Sequence, residues 1–371
     1  MQNISTSPDS HRRVSNTAVV CLSPYYGGME MDAFQMAKML SEFSDVTLIV
    51  KKNALIESKH KDEALNLGIK VEPVGFIKNI SFSIIFGVRK IIKTNKIENV
   101  IYFGASELKS LFFSFLNLNI NLLIKHGTTK SSTKKDFFHR LIYSQVNYHV
   151  ALCKHIAKNV QDIIPFGKNT QLATIYSSLR NMPENIREPE ICRNRPIILL
   201  HVARITDGKG QIDAIKACDV LYQQKKDFVF YLVGDMDPSY ENKFLSFLND
   251  IPYKDSIKLE GFTTDIAEYY RKSDIFIFPS KGEGLSNSFI EALSYGLACV
   301  SYKNTSFPEL KTLGFSFHLA EDQDIDSLKE TLEATVVYIE NNPLPINENI
   351  ELTKQLFTKE RELKDFLDLL R

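Results

Sequence analysis

The chain contains 371 residues, of which 44% are hydrophobic and 24% charged, and its formal net charge is zero. This length exceeds what one typical core requires and predicts two domains, while the composition excludes a disordered or fibrous chain. No apolar run approaches the ~20 residues that a membrane-spanning helix requires.

The charge is distributed unevenly along the chain. Residues 1–195 hold 26 Lys+Arg and 16 Asp+Glu, so the first half is basic and the remainder equally acidic. A basic half indicates an anionic surface or substrate as its partner, unless the imbalance only reflects solvated faces. Nucleic acid is not expected, because the basic residues lack interleaved aromatic side chains. The five cysteines lack Cys-x-x-Cys spacing, which predicts free thiols in a reducing cytosol and no metal site.

The first half of the chain predicts a parallel sheet. Residues 1–16 are polar and have no apolar signal core, and we expect a disordered tail there. Over residues 17–180 apolar strands alternate with helical segments, which is typical of a doubly wound domain. The predicted strands cover residues 17–22, 46–50, 100–103, 122–125, 149–152 and 172–175, and the first helix covers residues 29–43.

A second domain of the same kind follows a polar linker at residues 181–196. It spans residues 197–350, with strands predicted at 197–202, 228–233, 256–259, 275–278 and 298–302. An amphipathic helix, Glu351–Leu370, lies in the final segment, residues 351–371. The sequence therefore predicts an α/β fold of two Rossmann-like doubly wound domains facing across a cleft, with ligands at the carboxyl ends of the strands.

The most informative segment is residues 281–296. It follows an apolar strand with a glycine-rich turn, and Ser286, Asn287 and Ser288 are good N-cap residues for the helix that comes next. Backbone N–H groups of such a turn suit a phosphate. Glu283 in the turn and Glu291 in the helix are suited to accept hydrogen bonds from sugar hydroxyls. The segment therefore predicts a sugar-nucleotide site.

A basic pair lies after the first strand of the second domain. Arg204 follows residues 197–202, and Lys209 lies in the loop Thr206-Asp207-Gly208-Lys209-Gly210. Arginine offers a planar fork of donors and lysine a point charge, a combination suited to a diphosphate. Taken alone, the pair also fits a solvated turn, and its place at the predicted cleft favours the diphosphate.

The ordered motifs resemble a known family. Arg204-x4-Lys209-Gly210, Leu232-Val233-Gly234, Glu260-Gly261-Phe262 and Glu283-x7-Glu291 are together similar to the retaining "group 1" glycosyltransferases, family 4 of the GT-B architecture. Gly27-Gly28-Met29-Glu30 resembles that family's first glycine loop, and His126-Gly127 its active-site histidine. The final helix resembles the segment that crosses back to the first domain in such enzymes.

The resemblance implies a role for each of these positions. Arg204 and Lys209 would hold the leaving diphosphate, Glu291 would bind the ribose, and Glu283 the donor sugar. His126 would stand beside the reacting sugar. Backbone amides at the turn, residues near the base and the first-domain glycine loop would complete the donor site: Gly284, Leu285, Ser286, Asn287, Phe262, Gly27 and Gly28.

The implied activity is that of a hexosyltransferase-type enzyme of class EC 2.4. Its co-substrate would be a nucleotide sugar, with UDP the expected base and GDP the alternative, and it would need no other cofactor and no metal. The acceptor would be a glycan or lipid-linked glycan of bacterial surface polysaccharide or lipopolysaccharide synthesis. The expected location is cytoplasmic, peripheral at the inner face of the plasma membrane.

Other functions fit parts of the sequence. Asp235-Met236-Asp237 spells the metal motif of a different transferase architecture, but Pro238 follows it and favours a capped turn. Glu283 and Glu291 could be a glycosidase pair, although a neighbouring Arg/Lys pair suits an anionic donor better. Gly27-Gly28 is not the dinucleotide fingerprint of a dehydrogenase. A GT-B sugar-nucleotide epimerase and a catalytically silent nucleotide-sugar-binding protein both remain open.

Two basic features of the first half suggest contact with an anionic membrane. The predicted helix Ser81–Lys96 carries an apolar face that includes Ile84, Val88 and Ile92, and lysines lie opposite. A second cluster, close to His126, contains Lys125, Lys130, Lys134, Lys135 and Arg140. The alternative is that the apolar face packs on the sheet and that the lysines are solvated.

Overall fold

The computed structural model describes residues 13–78, 80–104, 106–180, 182–188, 190–191 and 195–371. Most of the predicted tail, residues 1–16, and part of the predicted linker, residues 181–196, lie outside these ranges. The described chain forms two compact units. The first is Met1–Ser177 together with Lys359–Arg371, and the second is Ser178–Thr358. No helix in the described ranges is both long enough and apolar enough to cross a membrane.

The first unit is built on a seven-stranded parallel sheet within the described residues, in the order β3-β2-β1-β4-β5-β6-β7. Apolar runs form its central strands because both faces of the sheet are covered by helices. The strands are β1 Thr17–Cys21, β2 Val46–Lys51, β3 Lys70–Val74, β4 Asn99–Phe103, β5 Asn121–His126, β6 Tyr148–Ala151 and β7 Gln171–Thr174.

The prediction missed β3, for a physical reason. This strand lies at the sheet edge, is only partly buried, and contains Pro73, so it lacks the apolar run that marks the central strands. Proline is tolerated there because an edge strand does not need every ladder N–H.

Helices of the first unit cover both faces of this sheet. Those before residue 177 are α1 Gly28–Leu40, α2 Leu55–Lys59, α3 Lys61–Asn66, α4 Phe82–Thr94, α5 Leu108–Phe115, α6 Phe137–Tyr143 and α7 Lys154–Ile163. Ile84, Val88 and Ile92 of α4 are buried in the core. The apolar face predicted at Ser81–Lys96 therefore packs inside the unit and is not available to a membrane.

The second unit contains six parallel strands among the described residues, in the order β10-β9-β8-β11-β12-β13. They are β8 Ile197–Val202, β9 Phe228–Val233, β10 Ile257–Gly261, β11 Ile275–Phe278, β12 Ala298–Tyr302 and β13 His318–Ala320. The prediction missed β13, which has only three residues. The helices are α8 Gln211–Ala217, α9 Asp219–Gln223, α10 Glu241–Asp250, α11 Ile266–Lys272, α12 Asn287–Ser294, α13 Phe307–Thr312, α14 Ile325–Asn341 and α15 Asn347–Leu356.

The predicted single helix Glu351–Leu370 is wrong. Helix α15 ends at Leu356, and a separate helix, α16 Lys359–Leu370, follows. Phe357 interrupts the helix because its ring is fully buried beside Phe315, while its carbonyl accepts the N–H of Leu179 at 2.9 Å. Helix α15 belongs to the second unit and α16 to the first.

Candidate active site

The candidate site lies where two loops of the second unit meet. Strands β8 and β11 are neighbours in the sheet, and the chain leaves them in opposite directions, to β9 and to β12. Such a switch point opens a crevice at the carboxyl ends of the strands. The N–H of Lys281, after β11, donates to the carbonyl of Gly208, after β8, at 3.0 Å.

Gly210 makes this close approach possible. Its φ is +77°, and a Cβ at this position would stand 2.0 Å from the carbonyl oxygen of Pro279. Any side chain would therefore push the two loops apart. Glycine is required here for both backbone conformation and space.

An ion pair joins the two loops. Lys209 Nζ contacts Glu283 Oε1, and the two side chains are 34% and 12% exposed. Ser280 Oγ also lies 3.0 Å from this carboxylate oxygen. Burial lowers the pKa of His201 to about 4, so its neutral ring donates Nε2–H to the Lys209 carbonyl at 2.9 Å. A cation and a carboxylate are thus held together on a braced pair of loops.

Helix α12 supplies the second part of the site. Ser286 is its N-cap, and its Oγ accepts the N–H of Phe289 at 3.4 Å. The first N–H groups of a helix have no intrahelical partner and favour an anion. One turn further on, Glu291 accepts a hydrogen bond from the Tyr270 hydroxyl at 2.9 Å. Burial raises the pKa of Glu291, while Tyr270 and Arg180 oppose the shift.

Arg204 and Phe262 are more open than the residues of the paired loops. Arg204 lies after β8 with its side chain 68% exposed, and its guanidinium is 4.0 Å from Asp237 Oδ2. Phe262 follows β10 and is 71% exposed, whereas Leu285 is buried. The structure therefore brings Lys209 and Glu283 into contact, while Arg204 contacts a different carboxylate.

The Asp-x-Asp segment forms a capped turn. Asp237 Oδ1 accepts the N–H of Ser239 at 3.0 Å and its hydroxyl at 2.7 Å, and these bonds lower the pKa of Asp237. Across the described ranges, no three His, Cys, Asp or Glu side chains converge in a way that would hold a metal ion.

In the first unit, the predicted residues lie at two strand ends. The N–H of Gly27 donates to Glu30 Oε2 at 2.8 Å, and Gly28 begins α1. His126 ends β5 and is only 2% exposed, with its Nε2 2.9 Å from Nδ1 of His149. Burial lowers the pKa of His126 well below its usual value, so the ring is neutral.

Sequence reasoning did not identify several supporting residues. His201, Tyr270 and Ser280 orient Lys209, Glu291 and Glu283 respectively. His201 belongs to an apolar strand and Tyr270 to an ordinary amphipathic helix, so neither carries a local motif. Ser280 lies between the apolar strand and the glycine-rich turn, and this position is the only sequence signal that any of the three residues carries.

Comparison with known proteins identifies the second unit. Residues 183–338 match the family model "Glycosyl transferases group 1". The amylovoran biosynthesis glycosyltransferase AmsK of Erwinia amylovora is 33% identical over 147 residues, 38% of this chain and 36% of that protein. The capsular polysaccharide biosynthesis glycosyltransferase CapH of Staphylococcus aureus is 24% identical over 89% of this chain and 95% of its own length.

The name of a third relative states its donor and its acceptor. The UDP-Gal:α-D-GlcNAc-diphosphoundecaprenol α-1,3-galactosyltransferase of Escherichia coli is 33% identical over 142 residues, 38% of this chain and 36% of that enzyme. The alignments with this relative and with AmsK thus span about a third of each relative's length.

Solved structures match both units. A glycosyltransferase from Rickettsia africae superposes with a TM-score of 0.78 at 17% identity, covering 97% of this chain and 98% of that one. HepE of Anabaena, solved with UDP-glucose, has a TM-score of 0.71 at 15% identity and covers 96% of this chain and 99% of its own. These likenesses establish the GT-B fold. The likeness to the group 1 glycosyltransferases lies in residues 183–338, within the second unit.

Proposed function

We propose that this enzyme transfers a hexose from UDP-sugar to a lipid-linked glycan, with retention of configuration and without a metal, in bacterial surface polysaccharide synthesis. It would act in the cytoplasm at the inner face of the plasma membrane. The observation that carries the proposal is the contact between Lys209 and Glu283 beside the N-terminus of α12.

The chemistry of transfer explains why this arrangement suits a nucleotide-sugar donor. Breaking the bond between sugar and diphosphate develops negative charge on the leaving group. Lys209 and the first-turn amides of α12 are fixed before reaction and would stabilise that charge. Glu283 and Glu291 are acceptors suited to sugar and ribose hydroxyls. Exposed Arg204 is free to close onto the diphosphate, because its contact with Asp237 is long.

The names of the relatives support a UDP-sugar donor and a lipid-linked acceptor. The galactosyltransferase acts from UDP-Gal on a diphosphoundecaprenol-linked sugar, and HepE was solved with UDP-glucose. AmsK and CapH are named for amylovoran biosynthesis and capsular polysaccharide biosynthesis. Transfer is accordingly preferred here over epimerisation or silent binding.

A binding experiment tests the donor. UDP and GDP are titrated by calorimetry against the wild-type protein and against Lys209→Met. UDP should bind, and Lys209→Met should weaken it at least tenfold, about the contribution of one charged hydrogen bond. Lys258→Met, at an exposed lysine of β10, is the matched control and should bind as wild type does. If Lys209→Met binds UDP as tightly as the wild-type protein does, Lys209 is not part of the donor site.

Turnover experiments test the remaining claims. Arg204→Ala should lower kcat by on the order of 10²-fold, as losing an oxyanion donor does. NMR of the product should show the anomeric configuration of the donor, and EDTA should leave the rate unchanged. UDP release should depend on acceptor; rapid release with a sugar nucleotide alone would instead favour an epimerase.

A membrane surface stays a proposed partner of the first unit, through residues other than the buried apolar face of α4. Phe82 and Phe86 of α4 are 77% and 65% exposed, unlike the isoleucines of the same helix. Aromatic side chains beside basic ones suit the interface of an anionic bilayer. Sedimentation with anionic and neutral liposomes tests this: Phe86→Ser should release the protein from anionic liposomes, and equal binding to both lipids would contradict the charge dependence.

A further inference from the structure

Among the residues that the structure describes, three lysines near the end of β5 have no acidic partner. Lys130 and Lys134 lie on the loop between β5 and α6, and Lys109 lies on α5; all three are half-buried. In the described part of the chain, no carboxylate pairs with any of them. Lys125, which the sequence grouped with these residues, is different, because it is buried and paired with Glu362 at 3.0 Å. The unneutralised cluster is therefore Lys109, Lys130 and Lys134.

The loop that carries these lysines is held in place by α7. Asn159 accepts the N–H of Lys130 at 2.9 Å and donates to its carbonyl at 3.0 Å. The N–H of Lys134 donates to the Ile163 carbonyl at 2.8 Å. The backbone that carries Lys130 and Lys134 is therefore held at both positions by α7.

Lys130 contacts the first of two buried, neutral histidines. Its Nζ is 3.1 Å from Nδ1 of His126, whose Nε2 lies 2.9 Å from Nδ1 of His149. Burial lowers the pKa of both rings, to about 3 for His149, so neither carries charge at neutral pH. Burial and the neighbouring Lys134 also lower the pKa of Lys130 to about 8. An ammonium held here without a counter-ion is costly, and a bound anion would offset that cost.

The surroundings indicate the chemical class of the anion. Hydroxyl side chains line the same exposed loop: Thr128, Thr129, Ser131, Ser132 and Thr133. Hydroxyl and ammonium donors together suit phosphate oxygens. Beside them α5 and α6 pack together and expose apolar side chains, and Lys109 Nζ lies 5.6 Å from the centre of the Phe138 ring. The exposed residues are Phe113, Phe137, Phe138 and Leu141.

We propose that Lys109, Lys130 and Lys134 bind the phosphate of an amphiphilic acceptor, whose hydrocarbon chain lies on the apolar face of α5 and α6. The inference rests on the proposed transferase function and deepens it, because it assigns the acceptor phosphate to named residues. Charge complementarity selects a phosphorylated lipid over a neutral one, and the adjoining apolar face selects it over free phosphate.

Calorimetry with farnesyl diphosphate tests the site in the full chain without any turnover. The double variant Lys130→Gln/Lys134→Gln should bind it at least about tenfold more weakly, because two charged hydrogen-bond donors are lost. Lys158→Gln, an exposed lysine of α7, makes the same kind of charge change and should bind as wild type does. Inorganic pyrophosphate and farnesol, which each lack half of the ligand, should both bind more weakly.

Proton uptake gives a second, independent readout. A bound phosphate raises the pKa of Lys130, so binding near pH 8 should take up protons and should weaken as the pH rises from 8 to 9. His126 and His149 stay neutral in this range, and Lys134, whose pKa burial and Lys109 also lower, adds to the uptake. Titrations in buffers of different ionisation enthalpy measure the effect, which the double variant should lose and Lys158→Gln should keep.

Several results would overturn the site. Farnesol binding as tightly as farnesyl diphosphate, or unchanged affinity in the double variant, would each do so. If the double variant melts early, Lys134→Gln alone carries the same comparison. UDP titrated into the same samples separates the two proposals: a wild-type protein that binds UDP but not farnesyl diphosphate refutes this site alone, whereas a wild-type protein that does not bind UDP refutes the proposed function.

Discussion

Replacing Glu362 should detach the C-terminal helix from the first unit. Its carboxylate lies 3.0 Å from Lys125 Nζ, and both side chains are only 4% exposed. The Lys125 ammonium also faces the rings of Phe103 and Phe366, at 5.3 and 5.6 Å. Glu362→Gln would leave this ammonium buried among apolar groups with no counter-charge.

The size of the effect follows from that burial. Removing one partner of a buried ion pair costs roughly 3–5 kcal/mol, because the remaining charge is uncompensated. For a domain of about 150–250 residues each kcal/mol lowers Tm by roughly 2–4 °C, so Glu362→Gln should lower it by roughly 6–20 °C. Thermal unfolding measures this, and limited proteolysis should cleave first near residues 357–358, between α15 and α16.

An apolar pair provides the control. Lys125→Met/Glu362→Leu removes both charges, and the neighbouring phenylalanine rings can pack against the new side chains, so its Tm should lie close to that of wild type. Glu362→Gln melting within 2 °C of wild type would refute the reasoning. So would a double variant as unstable as the single one.

The second unit allows three further predictions. Gly210→Ala places a Cβ 2.0 Å from the Pro279 carbonyl oxygen, so it should lower both Tm and the stabilisation by UDP in a thermal shift assay; an unchanged shift would contradict the role of the loop contact. Burial raises the pKa of Glu291, so UDP affinity should fall as the pH is lowered from 7 to 5, and Glu291→Gln should reduce that dependence in calorimetry. Asp274 is fully buried against two guanidinium groups, so Asp274→Asn should destabilise the unit by about 3–5 kcal/mol in urea unfolding, and a near-wild-type midpoint would contradict this.

The sequence predicted most of the fold because buried parallel strands have a strong local signature. Five strands of the second unit and six of the first were placed within two residues of their observed bounds. The wrong or missing predictions concern elements that are short or that depend on contacts with residues distant in the sequence. Strand β3 pairs only as an edge, β13 is short, and the break at Phe357 depends on a pocket made by a distant ring.

The candidate donor site was predictable loop by loop but not as a contact. Glycines and N-cap residues marked the two loops, because the backbone conformation of each loop depends on residues within that loop. The ion pair between Lys209 and Glu283 joins residues 74 apart, and it depends on β8 lying beside β11. The bracing by His201 left no sequence signal, since a buried histidine in a strand resembles any other core residue.

Lysines show most clearly what a sequence alone does not determine. Lys125 and Lys130 are five residues apart and belong to one apparent basic cluster. Helix α16 brings Glu362 to the first, whereas no carboxylate among the described residues pairs with the second. Charge counting treats them alike, whereas the free energy of burying each ammonium depends on whether a counter-charge lies within a few ångströms. Lys125 therefore anchors α16, and Lys130 retains an electrostatic cost that binding of a phosphate would lower. Replacing the first should thus be detected in unfolding, and replacing the second in ligand affinity.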